Sequence, residues 1–292
     1  MLQETVEHYI ASLCAGDSEQ GENKRNTLLA YRNDLNQLCK YLTLQGLEEW
    51  SLVEQKHITD YLLTMKDVHA YRPATIARKF AACKAFFRYL YKTHGIADNP
   101  IEQLKAPRLQ KDLPQVIGAE QVDALLHLVD VETISGKRDL AMLRLLYATG
   151  LRASELVALN VADFDPGKAL MHCAGVGGLK RERMLPLPVQ ALEALQCYLQ
   201  EARPQLLCRA DEPALFLNHR GERLTRQGFW LIIKRYAYRA GISDVTPHAL
   251  RHHFAVAQLK EGKELDSVRE LLGHAHISTT QIYSQLAEST PG

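Results

Sequence analysis

Between Asn99 and Pro114 the chain carries Pro100, Pro107 and Pro114, three lysines or arginines, and few apolar residues in any register. Proline lacks a backbone donor and fixes φ, so neither a helix interior nor a central strand runs through such a stretch. Residues 99–115 therefore read as an extended linker. This feature divides the 292 residues into segments 1–98 and 116–292, and each must bury a core of its own.

Apolar spacing makes the first segment helical. Val6, Tyr9, Ile10 and Leu13 recur at helical steps over 3–14, and a polar loop follows at Gly16–Asn23. Leu28, Tyr31, Leu35, Leu38 and Leu42 continue in steps of three and four until Gly46. A third helix is predicted over 53–65. A fourth runs from Pro73 to Lys92, with Phe80, Phe87, Leu90 and Tyr91 as its buried face. Four helices make a small all-α domain.

The second segment is mixed. Helices are predicted over 119–129 and 137–149, the latter stopped by Gly150. Leu159 to Ala174 and Arg183 to Leu187 alternate as short strands, with Gly175, Gly177 and Gly178 turning the chain between them. Val189–Arg203 is an amphipathic helix, and Thr225 opens another that reaches Gly241. The expected fold is mainly α with a small antiparallel β-sheet in the second domain.

Whole-chain charge is close to neutral, with 35 Lys plus Arg against 34 Asp plus Glu, but its distribution is not. Residues 69–111 hold 9 basic and 2 acidic side chains, and residues 220–251 hold 7 and 2. Local basic stripes are what a phosphate backbone responds to. On the fourth helix Arg78, Lys79, Lys84 and Arg88 are either a solvated face or a set of phosphate contacts. On the helix after Thr225 the same choice holds for Arg226, Lys234, Arg235 and Arg239, with Trp230 as a core anchor in the blander case.

The densest chemistry lies between His248 and Tyr283. Thr246-Pro247 opens a helix on which His248 and Arg251 share a face. Gly262 breaks the chain, and a second helix ends at Gly273, just before His274. Ser278 caps a last short helix that carries Tyr283. A guanidinium, two imidazoles and a phenol delivered together suit attack on a phosphodiester. The alternative is a polar helical hairpin whose side chains are merely satisfied.

HALRHHF, LLGHAHISTTQIY and, upstream, RDLAMLRLLYATGLRASELVAL together resemble the tyrosine recombinases of the Xer and phage-integrase type. The resemblance runs over nearly the whole chain. It implies an N-terminal four-helix DNA-binding domain of the SAM-like, core-binding kind and a C-terminal tyrosine-recombinase catalytic domain. It assigns catalysis to Arg152, His248, Arg251, His274 and Tyr283, with Glu155 holding a guanidinium that points at phosphate. The residues alone leave Arg152 and Glu155 open as a helix-end ion pair.

The same resemblance implies the partner, double-stranded DNA bearing a specific recombination site, and a homotetramer or heterotetramer on that DNA. Neither metal nor ATP is required, because a phosphotyrosine ester retains the energy of the broken bond.

The family pattern also has a hairpin lysine as general acid, and here that position falls on Gly178. Lys180 is the nearest substitute, two residues on; either it supplies the proton or it only touches phosphate. Arg181 and Arg183 match the later basic positions of the hairpin and are expected at DNA. A second departure is the tail, since nine residues follow Tyr283 where the family usually has a longer helical one.

His252, His253 and His276 invite a metal, but the motif offers neither carboxylate nor thiolate beside them, so none is expected. His253 and Phe254 are instead assigned to helix packing. The six scattered cysteines read as reduced, mostly buried thiols of a cytoplasmic protein, and no apolar run is long enough for a membrane span. Two uses fit an active enzyme, chromosome-dimer resolution or movement of a mobile element. A DNA-binding protein of recombinase descent that no longer cuts is the other reading.

Overall fold

The computed structural model describes residues 2–15, 22–68, 70–93, 96–105, 117–174, 182–243, 245–274 and 277–289. The chain divides into two compact units, Met1–Asp112 and Leu113–Gly292. The first contains α1 (Leu2–Ala15), α2 (Glu22–Leu44), α3 (Gln55–Asp67) and α4 (Pro73–Thr93), with a 3₁₀ turn at Trp50–Leu52. Apolar positions predicted by period line its core, among them Val6, Leu35, Leu38 and Leu42. Trp50 locks one end, edge-on to Phe86 at 4.7 Å, with its indole N–H donating to the Leu2 carbonyl at 3.3 Å.

Two expectations about α4 fail. Tyr91 is exposed, so the buried face runs through Phe80, Phe86, Phe87 and Leu90 instead. Lys79 is only 3% exposed. Its ammonium donates to Asp34 at 2.9 Å and to Gln37 at 2.5 Å, and it lies over the Tyr71 ring. Burying an ammonium demands such partners, so Lys79 is structural and does not face a phosphate. Arg78 binds the same carboxylate from the exposed side, whereas Arg88 is open to solvent. Ile101, read as linker, is fully buried in this first core, so the ordered unit extends past residue 98.

The second unit is built around α6 (Ile134–Thr149), which follows α5 (Ala119–His127) and packs against α8 and α11, defined below. α6 starts earlier than its apolar period because Thr133 caps it, accepting the Gly136 N–H at 3.0 Å. After α7 (Ala153–Ala158) comes a three-stranded antiparallel sheet, β1 (Phe164–Asp165), β2 (Leu170–Cys173) and β3 (Arg183–Pro186), in sequence order. The predicted single strand over 159–174 is in fact two. Asp165-Pro166-Gly167 turns the chain between them, with Asp165 Oδ1 accepting from the Lys168 N–H. β2 and β3 pair Cys173 with Arg183 and Met171 with Leu185.

The single helix expected over 189–203 is α8 (Val189–Cys197), a π-turn (Tyr198–Ala202) and α9 (Arg203–Leu206). Tyr198 is wholly buried at this turn, donating to the Leu215 carbonyl and accepting the Leu217 N–H. α10 (Arg226–Arg239), α11 (Pro247–Lys260), α12 (Leu265–Leu272) and α13 (Ser278–Ser289) complete the unit. Trp230 is exposed, with Lys234 over its ring at 5.5 Å, so it is no core anchor. Arg235 is pinned at 2.7 Å to Asp139, a fully buried carboxylate that also holds Arg138 and the Tyr236 hydroxyl. Arg226 and Arg239 stay exposed.

Cys39, Cys83 and Cys173 are buried as expected, whereas Cys14 and Cys208 are exposed. Among the described residues no helix is long and apolar enough to cross a membrane.

Candidate active site

Two helix ends set the position of the site. α6 and α12 each stop on a left-handed glycine, Gly150 at φ 60° and Gly273 at φ 62°. A helix C-terminus leaves carbonyls without intrahelical donors and carries partial negative charge. Here guanidiniums cap them. Arg251, on α11, donates to the Gly150 carbonyl and to the Leu272 carbonyl, each at 2.5 Å. Arg152, in the turn before α7, donates to the Gly273 carbonyl at 3.2 Å and more loosely to Leu272.

Glu155 gathers the cluster. Its carboxylate accepts from Arg152 Nη1 at 3.0 Å, from the Arg152 backbone N–H at 2.7 Å and from Arg183 Nη2 at 2.8 Å. Arg251 Nη1 lies 3.9 Å from the same group. Arg183 reaches it because β3 alternates, placing Arg183 on the same inward face as Leu185. Burial pushes the Glu155 carboxyl up, but the Arg183 bond and charge, with those of Arg152, outweigh it and hold it below the usual range. Burial and the neighbouring Arg152 lower Arg251 to about 10, still charged at neutral pH.

Three guanidiniums thus share one carboxylate, leaving two positive charges in excess. Arg183 and Arg251 are almost wholly enclosed, whereas the Arg152 side chain keeps 37% of its surface open. The Arg183 Nε is buried without a hydrogen-bond partner. A site of this kind is short of an anion.

Tyr283 lies beside it, 4% exposed and packed with Phe254, Val268 and Leu272. Its hydroxyl is 2.8 Å from His252 Nδ1, and the two ring centroids are 5.3 Å apart. His274 stacks on the tyrosine ring at 6.1 Å, its Nδ1 held by Thr280 Oγ1 at 3.0 Å. His248 is exposed, 6.5 Å from the His252 ring. Burial and the nearby arginines lower all three histidines, His252 to about 4 and His274 to about 3. They are neutral at pH 7 and able to donate or accept. Burial raises the Tyr283 phenol, with Arg251 and Arg152 opposing.

Arg152, Glu155, Arg251, His274 and Tyr283 are therefore brought together, with His248 at the open edge. Lys180 and Arg181 lie outside the described residues. Arg183, expected on DNA, instead belongs to the arginine cluster, and the alternation with Leu185 was the signal for it. In the sequence His252 reads only as a possible metal ligand: its i, i+4 relation to His248 is visible there, its contact with Tyr283 is not. Thr280 had no sequence signal beyond its place in the Thr-Thr pair. His253 packs as expected, its Nδ1 2.6 Å from the Ile117 carbonyl and its ring on Tyr147.

Gly273 offers a test of this geometry. A Cβ there would lie 2.5 Å from Arg183 Nη1, at a left-handed φ. Gly262 shares the left-handed φ, at 86°, but faces open space. Both Gly→Ala variants are expected to lose about 1–3 kcal/mol of stability. Only Gly273→Ala is expected to slow the chemistry, by about 10²-fold, through a displaced guanidinium. Thermal melts together with rates of the reaction run at this site check this; equal rates for the two variants would separate Arg183 from the chemistry.

Comparison with known proteins bears on the chain as a whole. The model of the phage integrase family matches residues 115–290, and that of the phage integrase N-terminal SAM-like domain matches residues 18–94. The chain is 47% identical over 287 residues to the tyrosine recombinase XerC of Herpetosiphon aurantiacus, covering 98% of this chain and 92% of that one. It is 40% identical over 266 residues to the tyrosine recombinase XerD of Listeria innocua, covering 90% and 89%. In fold it resembles the Tn1549 transposon integrase in complex with a circular intermediate DNA, with a TM-score of 0.78 and 20% identity over 97% of this chain and 94% of that one.

Proposed function

The chain belongs to the phage integrase family and is a Xer-like tyrosine recombinase, and on that premise we propose that Tyr283 is the nucleophile that cuts and rejoins DNA at a specific site. The observation that carries this is the arginine cluster: three guanidiniums on one buried carboxylate, beside a buried phenol. The anion that this excess positive charge suits is the scissile phosphodiester. Arg152 and Arg251 bind its non-bridging oxygens and stabilise the charge that grows there. His248 and His274, neutral and partly desolvated, add hydrogen bonds to the same oxygens. Glu155 and Arg183 hold the two binding guanidiniums in place.

The phenolic oxygen of Tyr283 bonds to phosphorus, and the bond to the 5′-oxygen breaks. A 3′-phosphotyrosine remains, and the leaving oxygen takes a proton from Lys180. A 5′-hydroxyl from a partner duplex reverses the step, so two rounds exchange strands through a Holliday junction. Duplex DNA is held through phosphates by Lys84 and Arg88 on α4 and by Arg226, Lys234 and Arg239 on α10. Arg78 and Arg235 contribute from their exposed sides, while Lys79 is excluded by burial. Four protomers assemble on paired sites. The two relatives named XerC and XerD support chromosome-dimer resolution over a mobile-element role.

A nicked duplex carrying the protein's own genomic recombination site traps the covalent intermediate, because the leaving strand diffuses away. The expected result is a slower protein–DNA band on a denaturing gel, reduced about 10²–10⁴-fold in rate by Lys180→Ala. A band indifferent to Lys180→Ala would move the general acid elsewhere. Binding with no covalent band on any site or partner combination would make the protein a DNA binder that does not cut.

A further inference from the structure

We infer that His252, and not His248, accepts the proton of the Tyr283 hydroxyl when that oxygen attacks phosphorus. The assignment rests on the reading of Tyr283 as nucleophile. It is carried by position: among the described residues, His252 is the imidazole in hydrogen-bond contact with the phenol oxygen, Nδ1 to Oη at 2.8 Å. His274 touches the ring face and spends its Nδ1 on Thr280. His248 sits at the exposed edge, where it is free to meet the phosphate.

Helix geometry accounts for the division of labour. His248, Arg251 and His252 stand at i, i+3 and i+4 on α11, so they form one patch, with His252 one turn further along than His248. α13 packs against α11 and brings Tyr283 to that further turn. A proton acceptor must lie within about 2.6–3.2 Å of the proton's oxygen, and His252 meets this before any substrate arrives.

The groups facing His252 set its protonation. On its own helix these are His248 and Arg251; from α13 it is Tyr283; from the turn after α12 it is His274. Burial, His248 and Arg251 hold it neutral, with Nδ1 open to the phenol. A bound phosphodiester adds negative charge beside this ring and favours its cation. The Tyr283 Oη–P bond then forms as the phenolic proton passes to His252 Nδ1. The P–O5′ bond breaks, and its oxygen is protonated separately by Lys180. On rejoining, His252 returns the proton to the departing phenol.

The experiment compares single-turnover adduct formation by wild type, His252→Gln, His252→Ala, His248→Ala and Lys180→Ala. Two nicked duplexes are used, one with an ordinary scissile phosphate and one with sulfur replacing the bridging 5′-oxygen. A thiolate leaves without a proton, so sulfur restores rate to a variant that lacks the acid but not to one that lacks the base. Glutamine keeps an acceptor oxygen for Tyr283 yet takes no proton, which separates holding from proton transfer.

His252→Gln and His252→Ala are both expected to slow adduct formation by about 10²–10⁴-fold on either duplex. Their loss is expected to shrink as pH rises, when hydroxide replaces the imidazole. Lys180→Ala is expected to recover on the sulfur duplex. Near-wild-type rates for His252→Gln, or faster cleavage by His252→Ala, would reduce His252 to a latch on the nucleophile and overturn the assignment alone. No adduct from wild type would overturn the reading of Tyr283 as nucleophile and this assignment with it.

Discussion

Replacing Tyr283 with phenylalanine is expected to abolish the covalent protein–DNA adduct while leaving a folded protein that still binds its site. The ring is 4% exposed and sits among Phe254, Val268, Leu272 and Leu286, contacts that phenylalanine preserves. What is lost is the hydroxyl and its 2.8 Å bond to His252. One neutral hydrogen bond is worth about 1 kcal/mol, so the melting temperature should move by only a few degrees. The chemistry should fall by about six orders of magnitude, the scale of deleting a covalent nucleophile. A denaturing gel of the trapped complex reads the chemistry, and a band shift with a thermal melt reads binding and fold. A covalent band of unchanged intensity in Tyr283→Phe would place the nucleophile on another residue.

The second large effect is expected at Glu155. Its carboxylate is nearly fully enclosed and lies between Arg152, Arg183 and Arg251. Glu155→Gln keeps the shape and removes the charge, so three guanidiniums are left to repel one another. Removing one partner of a buried ion pair costs about 3–5 kcal/mol. Cleavage should also fall by about 10²–10³-fold, because the guanidiniums lose the strut that aims them at phosphate.

The pH dependence carries the same information. The Glu155 carboxyl is held below its usual value of 4.5, so its stabilisation is fully present above that pH. It is lost as pH falls through the lowered folded value. Melts taken from neutral pH into the acid range should therefore show the gap between wild type and Glu155→Gln narrowing as pH falls below 4.5. Parallel curves offset by the same amount at every pH would mean that Glu155 stabilises by shape and not by charge.

Much of the site could be read from the order of residues. Arg152 after a glycine stop, Arg251 three residues beyond His248, and Tyr283 on a short last helix follow from local rules of period and capping. What escaped were pairings across elements. Lys79 lies in a basic run, and nothing local distinguishes it from Lys84; only the packing of α2 against α4 brings Asp34 beneath it. Arg235 looks free on α10 until Asp139 of α6 is placed 2.7 Å away. Trp230, a core anchor in one of the two readings of its helix, is turned outward on α10 with Lys234. For Lys79 and Arg235 a carboxylate on a distant helix, not the residue's own type, decided where the charge is spent.

By itself the sequence determined the helices, their glycine and proline boundaries, the presence of a small sheet, and the residue types at the site. These follow from 3.6- and 2-residue periods and from the backbone limits of proline and glycine, which act over a few residues. The tertiary structure alone decided which groups meet. Two helix C-termini converge so that their carbonyls are capped by Arg152 and Arg251, and one carboxylate collects three guanidiniums from three separate elements. The docking of α13 on α11 then places the Tyr283 hydroxyl on His252. Apart from the local Arg152–Glu155 pair, these contacts join residues from 21 to 121 positions apart. No local period carries that information, because it resides in the packing of side chains that only the complete core brings together.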